Sequence, residues 1–515
     1  MARNSTPSFI TELSLRITPN QESTILVRLG FARQLYNACL GEALKRLDLM
    51  RQSKAYQSAG YIHKDEAHVK ERKEAYGEVR KAFHFNEYAL HKFAGTLKIG
   101  WIGSSVVQTV ATRAFKAVDR YAFGKNGRPR FKKQNQFDSV DGKQNTVIRW
   151  DEQAKSVTWG GLVMPVILPK EGRKGNDVIQ YGLDAPLKYV SVVRRKLNGK
   201  NRFYAQLVCE GLPYQKPNNK VGEGRVGLDI GPSTIAVASP DAQTAELKQF
   251  ANELEPDQKK IRVLQRKLDR QRRANNPQNY EANGTVKKGK KEWNNSKGYE
   301  QTRVDLAEIN RKLAEYRESL HGRLINHIFS LGNVVNLEKL SYRGFQKMYG
   351  RSVGKRAPGK IVSMLKRKAV SAGVSVNEFP TRTTKLSQVC LCGEVKKKPL
   401  SERWHICECG VVAQRDLFAA FLAACVEGKQ LNADLANSDW RSGMDVCLKV
   451  ALSEVQPASD GRMPVTFGLS RSQSGSIEKA WKKAGDGRGG VASGTENRQR
   501  REPDKACQTP GTSRL

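Results

Sequence analysis

Apolar and polar positions alternate over residues 8–17, with Phe9, Thr11, Leu13, Leu15 and Ile17 on one side, which predicts a strand. Residues 22–50 carry Leu26, Leu29, Ala32, Leu35 and Leu40 near helical spacing and predict a helix. Residues 64–120 are again helix-like and strongly charged. From 144 to 215 the pattern changes to short β-prone runs: TVIRW, SVTWG, VMPVILP, KYVSVVRRK and RFYAQLVCE. These predict a small β-barrel or sandwich that takes up the first strand.

A different block starts at 225. RVGLDIG and TIAVASP predict two strands joined by a tight Gly-Pro-Ser turn. Residues 257–273 and 301–330 are helical, with Ile261, Leu264 and Leu268 on one stripe and Ile309, Leu313, Tyr316, Leu320 and Leu324 on another. An antiparallel pair packed along these stripes is expected, its helices separated by an Asn/Gly/Lys-rich hinge, ANNPQNYEANGTVKKGKK. Residues 333–338 predict a strand, 359–372 a helix closed by Gly373, VSVNEF a strand, and 416–426 a helix. An amphipathic segment follows at 440–454. From about 456 onward Gly, Ser, Arg and Gln dominate, and a tail without fixed structure is expected.

A length of 515 residues suggests two to four domains, and 38% hydrophobic residues suffice for real cores. Lysine and arginine number 89 against 51 acids, a net charge of +38. That field points to a polyanionic partner, nucleic acid before a membrane surface, although charge alone also fits a ribosomal or chaperone-like protein. No stretch approaches the roughly 20 apolar residues needed to span a bilayer. The N-terminus lacks the apolar core of a signal peptide, so a cytoplasmic location is expected. Four of the nine cysteines crowd into Cys390–Cys409, while Cys39, Cys209, Cys425, Cys447 and Cys507 stand singly. In a reducing compartment the cluster reads as metal ligands and the single thiols as inert.

In RVGLDIG, alternation puts Val226, Leu228 and Ile230 on one face and Gly227, Asp229 and Gly231 on the other, expected to be uncovered. An acid in an apolar strand is costly unless a cation or hydrogen bonds satisfy it. Glu338 repeats this at the end of VVNLE, and Asp416 opens the helix DLFAAFLAA, where an N-cap role is the alternative. Three such acids in a basic chain suit Mg2+ or Mn2+, which take oxygen ligands and, in pairs about 4 Å apart, hydrolyse phosphodiesters. Arg415 is a candidate for phosphate neutralisation or a plain surface arginine.

Cys390-Leu-Cys392-Gly and Cys407-Glu-Cys409-Gly form two knuckles, suited to structural Zn2+. Only one residue separates the cysteines of each pair where two are usual, so His405 is a candidate to replace one thiol.

These motifs resemble TnpB, the RNA-guided nuclease of insertion sequences, and the compact type V CRISPR effectors. GLDIGPSTIAVAS, VVNLEKLSYRG and RDLFAAFLA resemble the three RuvC segments, with TTKLSQVCLCG and CECG as the ribbon. The resemblance implies an α/β and α+β multidomain protein with an RNase H-like RuvC core. Its expected parts are a wedge-like β-barrel (1–20 and 122–222), a helical recognition lobe (21–121), a RuvC-like domain (223–386 and 411–455), a zinc ribbon binding target nucleic acid (387–410) and the tail (456–515). It further implies Asp229, Glu338 and Asp416 as the metal-binding, catalytic carboxylates. Guide RNA and target double-stranded DNA with a short flanking motif are the implied partners, without a membrane, for a monomer or homodimer. A nuclease-inactive RNA-guided binder is the alternative. Arg128, Arg130, Lys132, Lys133, Arg194, Arg195, Lys196 and Lys200 are the candidate phosphate contacts, with Phe131 free to stack on a base or to pack.

Overall fold

The computed structural model describes residues 6–97, 100–124, 126–143, 146–173, 175–399, 401–456 and 463–469. The expected tail from 470 onward, with Cys507, lies outside them. The chain forms two compact units of mixed α and β structure, residues 1–220, 254–319 and 367–373 in the first and 221–253, 320–366 and 374–515 in the second.

In the first unit the helix Pro19–Gln52 starts at a capping box, Thr18 Oγ1 accepting from Gln21 N (3.3 Å) and Gln21 Oε1 from Thr18 N (2.9 Å). Ile25, Leu29, Ala32, Leu35, Leu40 and Leu47 form its buried stripe. The charged stretch expected as helical at 64–120 breaks into Val69–Ala82, Glu87–Thr96 and Ser104–Ala122. The second of these starts at a side-chain cap, Asn86 Oδ1 accepting from Ala89 N (2.8 Å).

The β-prone runs form a seven-stranded antiparallel sheet in the order Ser139–Asp141, Leu187–Leu197, Lys200–Glu210, Ser8–Leu15, Leu162–Ile167, Ser156–Trp159, Ile148–Asp151. The first predicted strand therefore sits in the middle of the later ones. The sheet curls until Ile148–Asp151 lies against Leu187–Leu197, with Gly142 held between Ile148 and Val190. Trp159 is fully buried in the unit's core and donates through Nε1 to Ile102 O (3.1 Å).

The helices Glu255–Asn275 and Lys297–Leu331 run antiparallel where Gln271 lies beside Gly298 and Asn275 beside Ser296. The segment between them, expected as a hinge, is a folded tip held by buried side chains.

The second unit is built on a five-stranded sheet ordered Thr244–Gln249, Thr234–Ser239, Arg225–Ile230, Val334–Glu338, Ser375–Phe379. The first three strands are antiparallel, and the last two pair parallel. The Gly227/Asp229 face, expected to be uncovered, lies under the helix Arg415–Ala424. A Cβ on Gly227 would stand 2.0 Å from Ala420 O, so the missing side chain is what lets the helix backbone close over the strand. Asn336 on the neighbouring strand secures the same helix end, donating to Ala424 O (3.2 Å) and Val426 O (3.1 Å). Leu417, Phe418, Phe421 and Leu422 fill the core beneath. Residues 463–469, expected within the tail, also pack there. Phe467 is buried, and Trp404 Nε1 donates to Gly468 O (3.3 Å). The cue was the apolar run Met463, Val465, Phe467 and Leu469 inside an otherwise polar tail.

Candidate active site

Parallel pairing aligns Leu228 with Leu337, so the next residue on each strand, Asp229 and Glu338, emerges side by side at the strand ends. The covering helix lies antiparallel to them. Its C-terminal residues rest on Gly227 and Asn336, and its first turn, with Asp416, therefore reaches the two acids. Gln414, not Asp416, is the N-cap, its Oε1 accepting from Leu417 N (2.8 Å). Asp416 is left free of capping duty, at the positive end of a helix dipole.

Asp229, Glu338 and Asp416 line one cavity of about 450 Å3. Burial first, then the charges of Asp416 and Glu338, push the Asp229 carboxyl well above the ordinary carboxylate range, while Arg415 and Arg403 pull it back. Burial alone lifts Glu338 to about 7. Asp416 is also raised by burial, against the pull of Arg415 and Arg403. Three half-buried carboxyls that resist ionising together suit a site for cations. Their oxygens are not all within 4.8 Å of one another, a condition met among the described residues only by the four clustered thiols.

Cations face the acids from the ribbon side. Arg415 Nε lies 3.5 Å from Asp416 Oδ1, yet its Nη1 donates to Pro399 O (3.2 Å) and Glu402 O (2.8 Å), so it anchors the ribbon more than it reaches for phosphate. Arg403, not singled out from the sequence, has Nη1 4.0 Å from Asp416 Oδ1 and lines the cavity with Lys398. Only the hairpin Trp404–Ile406 with Val412–Gln414 brings it there, pairing Arg403 O with Arg415 N at 2.9 Å. The helix Tyr342–Arg356, also unpredicted, supplies Phe345, Met348 and Tyr349 to the opposite wall. Burial raises the Tyr342 phenol on that helix, with Glu378 and Asp229 adding to the effect.

The four cysteines converge with Cys390 Sγ and Cys409 Sγ 3.5 Å apart, and Cys392 Sγ and Cys407 Sγ likewise. Tetrahedral thiolate zinc at about 2.3 Å per bond needs sulfurs about 3.8 Å apart, so the set can hold zinc despite its one-residue spacing. Gly393 (φ +85°) and Gly410 (φ +91°) turn each knuckle in the left-handed region. His405 does not replace a thiol. It is buried against Phe418 (ring centroids 4.5 Å), with Lys398 Nζ 2.5 Å from its Nδ1, and burial, followed by Lys398, lowers its pKa to about 4.

The candidate phosphate contacts divide. Arg128, Arg130, Lys132, Lys133, Lys196 and Lys200 are exposed, as is Phe131. Arg194 is buried, ion-paired with Asp138 and donating to Asn135 O (3.0 Å); it holds the sheet and leaves the set. Arg195 is engaged by both Glu12 oxygens (2.6 and 2.5 Å) and lies over Tyr204.

Comparison with known proteins gives one domain match, residues 359–422 to the Cas12f1-like TNB domain. That span contains all four cysteines, Arg403 and Asp416. No curated protein sequence matches the chain. Among solved structures, a chain of the cryo-EM Cas12f1–sgRNA–target DNA complex is similar at 11% identity and TM-score 0.44, covering 81% of this chain and 98% of that one. A chain of a cryo-EM CRISPR–Cas12f ternary complex is similar at 12% identity and TM-score 0.29, covering 80% and 83%. Residues 359–422 are thus similar to the Cas12f1-like TNB domain.

Proposed function

We propose that this protein is an RNA-guided DNA endonuclease in which a RuvC-type site, made by Asp229, Glu338 and Asp416, hydrolyses phosphodiester bonds. The observation that carries the reading is the convergence of three acids from separated segments, with Arg403 beside them, in one cavity. The TNB domain match and the charge of +38 support guide RNA and target DNA as partners. Mg2+ or Mn2+ bound by the three carboxylates would activate water and stabilise the leaving oxygen. The chain's own contributions are distinct. Asp229 and Glu338 are fixed by strand register, and Asp416 by the Gln414-capped helix, so the acids meet substrate already oriented. Arg403 offers a partly buried guanidinium to a phosphate, and its Nε has no hydrogen-bond partner in the protein. The zinc ribbon holds the hairpin that carries Arg403. The curled seven-stranded sheet and the helices before it read as the wedge and recognition parts, and the exposed loop Arg128–Lys133 as a backbone grip for the guide–target duplex.

The test is programmed cleavage. Protein purified with its co-expressed RNA and Mg2+ is expected to cut duplex DNA matching that RNA and to leave mismatched DNA intact. Tight binding of matching DNA without any cut would leave a binder in place of a nuclease. No sequence-dependent binding would end the RNA-guided reading altogether.

A further inference from the structure

The segment between the helices Glu255–Asn275 and Lys297–Leu331 has no part in the site above. It is lysine-rich, and a lysine-rich loop is ordinarily a solvated tether. This one is built. Asn276 is fully buried, its Nδ2 donating to Arg272 O (3.0 Å) and Asn294 O (2.9 Å) and its Oδ1 accepting from Asn294 N (2.6 Å). Asn279, also buried, donates to Glu292 O (2.6 Å).

Two arginines of the preceding helix lock onto the loop's aromatic rings. The Arg272 guanidinium sits 3.8 Å from the Trp293 ring centroid and Arg273 5.4 Å from Tyr280, and the two rings meet edge-on at 6.0 Å. At Gly284 (φ +77°) a Cβ would stand 2.7 Å from Arg273 Nη1, so the turn closes directly on that side chain. Backbone bonds Glu281 N to Thr285 O (2.8 Å) and Lys287 N to Asn279 O (3.0 Å) complete a small hairpin. The rigid frame presents Lys287, Lys288 and Lys290 to solvent, with Lys291 half-buried beside them. Over residues 270–297 eight cations face two acids, Glu281 and Glu292.

We propose that this tip is a preformed knob that grips the phosphate backbone of a nucleic-acid double helix. Two features favour that ligand. The two lysine pairs flank Gly289 (φ +95°), onto whose carbonyl Lys291 Nζ donates (2.9 Å), and each ammonium is a point charge suited to a phosphate. The lysines stand on an exposed surface, where ammonium groups meet phosphates and carry no sequence information. Ordering the tip in advance removes the entropy cost that a flexible lysine loop meets on binding. The inference rests on the chain being a nucleic-acid-binding protein, but not on its cutting DNA.

The test is fluorescence anisotropy with the full protein and two probes, a short RNA duplex and a short DNA duplex, across about 50 to 200 mM salt. The variant Lys287→Ala/Lys288→Ala/Lys290→Ala/Lys291→Ala is expected to bind about 10- to 100-fold more weakly. The slope of log affinity against log salt should shrink by about 2 to 4, close to one for each phosphate that is no longer neutralised. Asn276→Ala/Asn279→Ala keeps every lysine but frees the tip, and should lose about 3- to 10-fold. Loss on the RNA probe assigns the knob to the guide, and loss on the DNA probe to the target; either supports the proposal. Lys259→Ala/Lys267→Ala/Lys312→Ala/Lys429→Ala removes equal charge from exposed positions outside the tip and outside the wedge and recognition parts. Equal losses in the two four-lysine variants, or an unchanged slope in the first, would overturn it. Because the readout is binding, it stands or falls separately from cleavage.

Discussion

Gly227 decides where the acids meet, although it carries no chemistry. With a methyl group 2.0 Å from Ala420 O, the helix Arg415–Ala424 must lift from the sheet, and Asp416 moves with it. Gly227→Ala is expected to destabilise by about 3 kcal/mol or more, read as a fall in Tm, since a backbone carbonyl cannot yield as a side-chain tip can. Strand alternation made the shared face of Gly227 and Asp229 legible in the sequence, and three acids at element ends made the site legible. That the face is covered was not legible, because a glycine beside an acid reads equally as open space or as close approach. Arg403 could not be found by pattern, since its place depends on a hairpin register. Arg194 misled for the opposite reason: a cationic run on an edge-alternating strand sends one member inward, where Asp138 neutralises it.

At the level of elements, the second unit is tied at the start of its central strand. Arg225 donates to Asp241 (2.5 Å) and to Asp439 (2.9 Å), linking that strand to the turn after Thr234–Ser239 and to the helix Ala433–Asp439. The Arg225 hydrogen bond holds the Asp241 carboxyl below its usual range. A depressed folded-state pKa adds stability that is complete above the unfolded value, near about 4, and is lost as pH falls through the folded one. Asp241→Asn should therefore cost about 1 kcal/mol at about pH 7, and its denaturation midpoint should converge on that of the wild type below about pH 3. Equal gaps at both pH values would contradict the pairing.

The four-cysteine ribbon makes a second element-scale prediction. The purified protein should contain about one zinc per chain, and removing it with a chelator should lower Tm and loosen the hairpin that carries Arg403. Cys409→Ser should reproduce both effects. A zinc-free protein of unchanged Tm would remove the metal from the account. The ribbon was legible as two Cys-x-Cys-Gly knuckles. The tip at 276–294 was not, because asparagine and glycine signal turns whether a turn is loose or pinned, and only the folded chain shows Asn276 and Asn279 spending their amides on backbone carbonyls.

For the molecule as a whole, net charge points to a polyanionic partner, whereas the change from helical to β period near residue 144 falls inside the first unit, which continues to residue 220. The order of strands was out of reach, since the strand Ser8–Leu15 joins a sheet whose other members lie more than 120 residues later. Among the described residues no helix is long and apolar enough to cross a membrane. The central claim is that Asp229, Glu338 and Asp416 form one metal-dependent cleavage site. The most direct measurement compares single-turnover DNA cleavage and DNA binding by wild-type protein and Asp229→Asn, both loaded with the same RNA at saturating Mn2+. The account predicts that Asp229→Asn cuts at least about 1,000-fold more slowly while binding target DNA within about 2-fold of wild type. Cleavage by Asp229→Asn at a rate near that of wild type would contradict it.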